Sequence, residues 1–279
     1  MEKKIIFLDI DGTLVNDCNV LPTSAKEAVK RARANGHYVL ICTGRSSSQV
    51  IGPVQELEVD GKICSAGGYV EVGGKVLREI YMTKEEVEFI VNYMDSKGIC
   101  YCLESSNGVF VSKHTKAYFK ESMKERVRQN PERHKEIEAG MKAFMEIMIE
   151  GAEMLREDVN KVTFLHSDVP FKEIEAFFKG KFEVLPNSVK VASKNGGEIM
   201  MPGIHKASGV QVVLDYLKLD RANSFAYGDG LNDMEMIQYV AYGVAMGNAC
   251  DELKKVARDV ADEVEADGLY KSFEKYGLI

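Results

Sequence analysis

The stretch Ile5-Ile6-Phe7-Leu8-Asp9-Ile10-Asp11-Gly12-Thr13-Leu14 decides how the rest of the chain is read. Its first four residues have the length and composition of a buried strand. Two carboxylates follow at i and i+2, where the strand runs out into a glycine-containing turn. Acids held that close repel each other unless a positive charge lies between them or one keeps a proton. Stability therefore explains the pair poorly. A hard divalent cation explains it well, because Mg²⁺ takes oxygen ligands at short range and keeps several waters. Gly12 lets the chain turn sharply and lets backbone N–H groups approach an anion. One carboxylate free to attack, with a second free to move a proton, makes a nucleophile with its own acid/base beside it. The alternative is a strand end followed by a type I turn, where Asp and Gly are common. A calcium loop is excluded. An EF-hand needs Gly at its sixth position and Glu at its twelfth; counting from Asp9, Gly12 comes too early and Val20 stands at the twelfth.

Outward from this stretch, residues 3–10 read as a first strand. Ser24 and Glu27 have the spacing of a capping box, so a helix is expected with Ala25, Ala28, Val29 and Ala32 inward and Gly36 as its stop. Tyr38-Val39-Leu40-Ile41-Cys42 is a second buried strand, ending in Thr43-Gly44-Arg45, with a helix expected from Ser46-Ser47-Ser48. Lys62-Ile63-Cys64 is a third strand, ending at Ser65-Ala66-Gly67-Gly68. This alternation predicts an α/β fold with a doubly wound, parallel, Rossmann-like sheet. Ligands of such sheets bind beyond the carboxyl ends of the strands, where Asp9, Asp11 and Thr43 would all sit.

The pattern then changes. Val70–Val76 reads as a hairpin around Gly73-Gly74. Thr83 and Glu86 make a second capping box, opening a helix to about Lys97. Ile99–Leu103 and Val109–Val111 pair across Ser105–Gly108, and amphipathic helices are expected over 113–129 and 132–156, interrupted at Asn130-Pro131. Strands at Val162–Leu165 and Phe182–Leu185 flank a helix near 170–179. Paired strands interleaved with helices predict a separate α+β domain over 82–193, inserted into a core of 1–81 plus 194–279. The first pattern resumes with a helix to Leu217, a strand at Ser224–Tyr227, the loop Gly228-Asp229-Gly230-Leu231-Asn232-Asp233, a helix from about Met234, a strand at Tyr242–Met246 and a helix with Leu253 and Val256 inward.

Composition narrows the function. A net charge of −7 excludes a nucleic-acid binder that works through a broad basic surface. No run approaches the ~18 apolar residues of a membrane span, and Met1-Glu2-Lys3-Lys4 lacks a signal-peptide pattern. The six cysteines are scattered without the paired spacing of a zinc site, so a reduced cytoplasmic protein is expected. Cys42 is expected in the core. The methionines Met141, Met145, Met148 and Met154 have helical spacing, which fits a packing face.

Four distant stretches fall at one predicted sheet edge: Asp9/Asp11, Thr43-Gly44, Lys206 and Asp229/Asn232/Asp233. Together they resemble the haloacid dehalogenase superfamily phosphatases, and within them the Cof-type branch, subfamily IIB, with a large cap between the second and third motifs. Asp9–Leu14 matches the first motif, Thr43 the second, Lys206 the third and Gly228–Asp233 the fourth. Two departures stand out: Ser65-Ala66-Gly67-Gly68 where the branch often has Asn-Gly-Ala, and His205 before Lys206 in place of a small residue.

The resemblance implies a Mg²⁺-dependent phosphomonoester hydrolase of small phosphorylated metabolites, sugar phosphates or phosphorylated cofactors. Asp9 would be the nucleophile and form an aspartyl-phosphate; Asp11 would be the acid/base. Mg²⁺ would be held by Asp9, the backbone carbonyl of Asp11 and Asp229, with Asp233 holding its waters. Thr43, Gly44, Lys206 and Asn232 would bind the phosphoryl oxygens, and Lys206 would also neutralise Asp9. Arg45 would reach either a substrate anion or a surface acid. A phosphosugar mutase on the same scaffold keeps the same motifs, and a non-catalytic metabolite-binding protein is the reading from a different class.

Overall fold

The computed structural model describes residues 2–187 and 195–279. Five strands come first: β1 Ile5–Leu8, β2 Tyr38–Cys42, β3 Gly61–Cys64, β4 Tyr69–Val72 and β5 Lys75–Glu79. Six follow: β6 Cys100–Ser105, β7 Gly108–Val111, β8 Met148–Glu150, β9 Lys161–His166, β10 Glu183–Pro186 and β11 Gly197–Met200. The last three are β12 Ser224–Gly228, β13 Tyr242–Ala245 and β14 Asp259–Val260. The chain forms two compact units: Met1–Arg45, Gly52–Glu79 and His205–Ile279 make the first, Ser46–Ile51 and Ile80–Ile204 the second.

The first unit carries an eight-stranded sheet in the order β14-β13-β12-β1-β2-β3-β4-β5. The pairings from β14 to β3 are parallel, and β4 and β5 add an antiparallel edge. From β1 the chain winds one way to β2 and β3, and on returning winds the other way through β12 and β13. The topological switch point therefore lies between β1 and β12, where open α/β sheets bind ligands at the carboxyl ends. Ile5 and Phe7 pack with Leu40, Cys42, Val210, Val213 and Met236 on one face. Ile6 and Leu8 are fully buried on alternate positions, so β1 is covered on both sides.

The second unit carries a six-stranded sheet in the order β10-β11-β9-β6-β7-β8. It is antiparallel except where β8 runs parallel to β7. Tyr101, Leu103, Val162, Phe164 and Ile199 pack with residues of the helices Lys84–Ser96 and Phe171–Phe178. Cys102, Val109, Val111 and Leu165 pack with Phe119, Met141 and Met145; Met148 joins them from β8 and Met154 packs in the other cluster, so the four methionines do not share one helical face. No described helix is long and apolar enough to cross a membrane.

Several local expectations are corrected. The helix Thr23–Ala34 starts two residues early with Pro22 as its N-cap, and the box at Ser24 and Glu27 does not form; Pro22 lacks an N–H and presets the entry dihedral. Thr83 and Glu86 do form theirs. Between β2 and β3 the described chain makes short 3₁₀ turns over Ser47–Gln49 and Gly52–Glu56 in place of a helix, because Gly52 takes a positive φ and Pro53 follows it. The expected helix over 132–156 stops at Glu146, and Met148–Glu150 becomes an edge strand. Val256 is exposed. The expected domain boundary at 193/194 lies outside the described residues; β11 pairs with β9 and β10, so the second unit extends to Ile204.

Candidate active site

β1 and β12 run side by side, and their ends deliver the first and fourth acidic loops to the switch point. The Asp9 N–H donates to the Tyr227 carbonyl at 3.1 Å, which ties the two strand ends together. The chain then turns back on itself: the N–H groups of Leu14 and Val15 both donate to Ile10 at 2.9 Å. Gly12 sits at φ +77°, and a Cβ there would run into the Asp229 carboxylate. Two demands thus meet at one glycine, a left-handed backbone and a close approach. Asn248 fixes the same turn by donating to the Gly12 carbonyl at 2.8 Å, while its own oxygen accepts from Val264 N–H.

The loop after β12 is shaped by Asp233. One of its oxygens accepts from the N–H groups of Asp229 and Gly230, both at 3.0 Å. The other accepts from Lys206 Nζ at 2.6 Å, and the same ammonium donates to Asp9 Oδ1 at 2.6 Å. Lys206 is the first residue of the helix Lys206–Leu217, capped by His205, whose Nδ1 accepts from Ser208 N–H. Its side chain is wholly buried. Burial alone would strip its proton, but Asp233 and Asp9 outweigh that and hold the ammonium above its ordinary range.

The acids feel the opposite pressure. Burial, then the Asp233 charge, pushes Asp9 well above the usual carboxylate range, against the pull of Lys206. Asp229 is pushed up to about 7 by the same causes in the same order. Oxygens of Asp9, Asp229 and Asp233 lie within 4.8 Å of one another. Among the described residues, the four acids Asp9, Asp11, Asp229 and Asp233 gather here with the two cations Lys206 and Arg45. Asp233 already uses one oxygen on Lys206 and the other on two backbone N–H groups. That leaves Asp9 and Asp229 with coordinating capacity. An all-oxygen donor set of this kind fits a hard divalent cation.

The second motif forms the opposite wall. Thr43 is buried, and its hydroxyl accepts from Arg45 N–H at 3.1 Å. A Cβ on Gly44 would lie 3.5 Å from Asn232 Nδ2, so the Asn232 amide and the Gly44 backbone are neighbours. Arg45 grips Asp11 with two donors, Nε to Oδ2 at 3.0 Å and Nη2 to Oδ1 at 2.7 Å, and reaches Asn19 at 3.2 Å. Of the two roles open for Arg45 in the sequence, an acid is the partner found, and it is a motif carboxylate. Burial pushes the Cys42 thiol far up, so it is a packed core group.

Behind this wall, Ser65 and Ala66 stand at φ +49° and +53°, a left-handed pair without glycine. Their N–H groups donate to the carbonyls of Arg45 at 2.7 Å and Thr43 at 3.0 Å. Sequence reasoning missed this brace and Asn19, and gave Asn248 no role. The signal for Arg45 was its place two residues after Thr43; nothing in the residue types marks Ser65 or Ala66.

A family model of the haloacid dehalogenase-like hydrolases matches residues 6–273. The chain belongs to this family. YkrA of Bacillus subtilis strain 168, named as a phosphatase, is 28% identical over the whole of both chains. YitU of the same organism, named a 5-amino-6-(5-phospho-D-ribitylamino)uracil phosphatase, is 27% identical over 99% of each. Among solved structures, the fold is similar to that of the subclass IIB sugar phosphatase BT4131, with a TM-score of 0.78 over 99% of this chain and 100% of that one at 24% identity. The haloacid dehalogenase-like assignment makes the protein a hydrolase with the fold expected from its first strand and loop.

Proposed function

We propose that this hydrolase is a Mg²⁺-dependent phosphomonoesterase of small phosphorylated metabolites, working through an aspartyl-phosphate in a reduced cytoplasmic setting. The observation that carries the reading is Lys206, buried between Asp9 and Asp233, which with Asp229 form an all-carboxylate cluster. The relatives support the substrate class, since one is named for a phosphorylated ribityl compound and one for sugar phosphates.

A carboxylate attacks a phosphate dianion poorly because both are negative. A Mg²⁺ ion would be held by Asp9, the Asp11 backbone carbonyl and Asp229, with its waters held in part by Asp233, and would supply the charge that removes this repulsion. The chain's own groups do the rest. Thr43, Gly44, Asn232 and Lys206 hold the phosphoryl oxygens. Asp9 forms a bond to phosphorus as the ester P–O bond breaks, and Asp11 gives its proton to the departing oxygen. Asp11 then takes a proton from the water that attacks the aspartyl-phosphate, which frees phosphate and returns Asp9. Arg45 holds Asp11 in place for both transfers. The second unit selects the leaving group.

Phosphate release from a panel of phosphorylated metabolites, with Mg²⁺ and with EDTA, tests the reading. Release is expected only with the metal, and Asp9→Asn should lower it on the order of 10⁴-fold or more. Release that survives in folded Asp9→Asn protein would overturn the assignment of the nucleophile.

A further inference from the structure

The chain leaves the Asp11 loop through a turn built on one asparagine. The Gly12 N–H donates to the Val15 carbonyl at 2.9 Å, and Asn16 follows at once. An Asn side chain bonds readily to the backbone two residues on. Here Asn16 Oδ1 accepts from Cys18 N–H at 3.0 Å and from Val20 N–H at 3.1 Å. The Asn16 carbonyl accepts from Asn19 N–H at 2.9 Å, and the Asn16 N–H donates to the Val20 carbonyl at 3.1 Å. Asn16 Nδ2 donates to Glu265 Oε1 at 2.6 Å, which anchors the turn from outside.

Asn19 is the residue this turn presents. It stands half-buried at φ +60°. Glycine meets that dihedral with less strain, so the turn by itself does not call for an amide. The amide has a partner: its oxygen accepts from Arg45 Nη2 at 3.2 Å. Its nitrogen lies beside Gly52, where a Cβ would stand 3.4 Å away. The same Nη2 donates to Asp11 Oδ1 at 2.7 Å, and Arg45 Nε donates to Asp11 Oδ2 at 3.0 Å. Nη2 carries two N–H groups, enough for one acceptor each. A guanidinium is a planar, rigid fork, so a partner at one corner helps to set the direction of the whole group. Asp11, Asn16, Asn19 and Arg45 all belong to the first unit.

We propose that Asn19 is a positioning residue for the Asp11 acid/base: it fixes the Arg45 fork, and the fork holds the Asp11 carboxyl in place. This rests on the phosphatase reading above. Asn19 acts through Arg45 and touches no reacting atom. Proton delivery matters most when the departing oxygen is strongly basic and little when it is weakly basic. Loss of the Asn19 amide therefore tells on esters with a basic leaving oxygen and nearly spares a nitrophenyl ester. Phosphoryl binding and attack by Asp9 use other groups, so a disturbance spread over the whole site would slow both esters alike.

The test compares kcat/KM for p-methoxyphenyl phosphate and p-nitrophenyl phosphate in the full-length protein with Mg²⁺. The two esters are similar in size and differ in the basicity of the departing oxygen, and kcat/KM covers the step in which the ester bond breaks. Asn19→Gly keeps the left-handed turn and removes the amide. It is expected to lower kcat/KM for the methoxy ester about tenfold more than for the nitro ester. Asn19→Asp keeps an acceptor oxygen and tolerates the left-handed backbone, and should restore most of the loss. Asn19→Gly should add little to Arg45→Lys, because both act along one chain of contacts. If Asn19→Gly fails to fold, Asn19→Ser, too short to reach Arg45, carries the same comparison. An equal fall for both esters, a change in neither beyond about twofold, or full additivity with Arg45→Lys overturns the proposal and leaves the phosphatase reading standing. Phosphate release from neither ester by folded wild-type protein sinks that reading, and the proposal with it.

Discussion

Each unit buries one lysine between two acids, and the two arrangements differ in kind. Lys206 lies 2.6 Å from both Asp9 and Asp233, and the three come from separate loops and a helix start. Lys161 lies 3.2–3.3 Å from its two acids, which are cross-strand neighbours fixed by sheet register. Distant segments must be brought together deliberately to make the first cluster, and each contact is short and charge-assisted. In the second, strand alternation alone sets the groups on one face. The first gathers its groups from loops and a helix start at 2.6 Å; the second sets longer contacts of 3.2–3.3 Å across a sheet.

The comparison is most exposed at Lys206. Lys206→Met leaves Asp9 and Asp233 buried without a counter-charge. Urea denaturation should show a loss of about 3–5 kcal/mol, and phosphate release should fall below detection. Activity kept within about tenfold would erase the distinction between the two lysines. A smaller effect is expected in the second unit. Lys161→Met strands Glu104 and Glu198, but burial already pushes Glu104 upward, so that group can take a proton. A loss of about 1–3 kcal/mol by the same denaturation is expected. A loss as large as that of Lys206→Met would show that both clusters are equally structural.

Titration separates the clusters further. Asp9 and Asp229 are raised in the folded chain, Asp229 to about 7. The folded state then binds protons more firmly than the unfolded one. Their contribution to stability is fully present below the unfolded value and is lost as pH rises through the folded one. Melting of the metal-free protein, followed in EDTA, should therefore move to lower temperature as pH rises from about 4 to about 7. Mg²⁺ should flatten that slope, because an ion bound by these carboxylates favours their charged form. An unchanged slope in Mg²⁺ would place the titration elsewhere. The smallest expected effect lies behind the Thr43-Gly44 wall. Ala66→Gly removes a left-handed strain and should stabilise by up to about 1 kcal/mol; a loss of stability by calorimetry would mean that the alanine side chain packs usefully there.

The chain's legibility followed the same divide. Asp9, Thr43 and Asp229 were placed together because each follows a buried strand, and Lys206 because it opens the next helix of the same winding. The core sheet was legible for the same reason, since its buried strands are continuous apolar runs. Lys161 and Glu198 could not be read: on a strand that alternates, a charged residue looks like the solvated side. Met148–Glu150 was absorbed into a helix because three residues carry too little pattern against thirteen helical ones beside them. Gly197–Met200 is short and half apolar, and only pairing with β9 and β10 makes it a strand. Arg45 was named in the sequence, but its partner depends on the distance closed by folding between residues 11 and 45.

The brace at Ser65 and Ala66 works through peptide N–H groups, which every residue but proline carries. What this position supplies is therefore a backbone shape, open to more than one residue type. Asn-Gly would take this left-handed pair with ease, and Ser-Ala takes it under strain, yet both would present the same two donors to the carbonyls of residues 43 and 45. A survey that compares side chains would record the position as altered. One that compares backbone dihedral angles would ask instead whether the left-handed pair is kept.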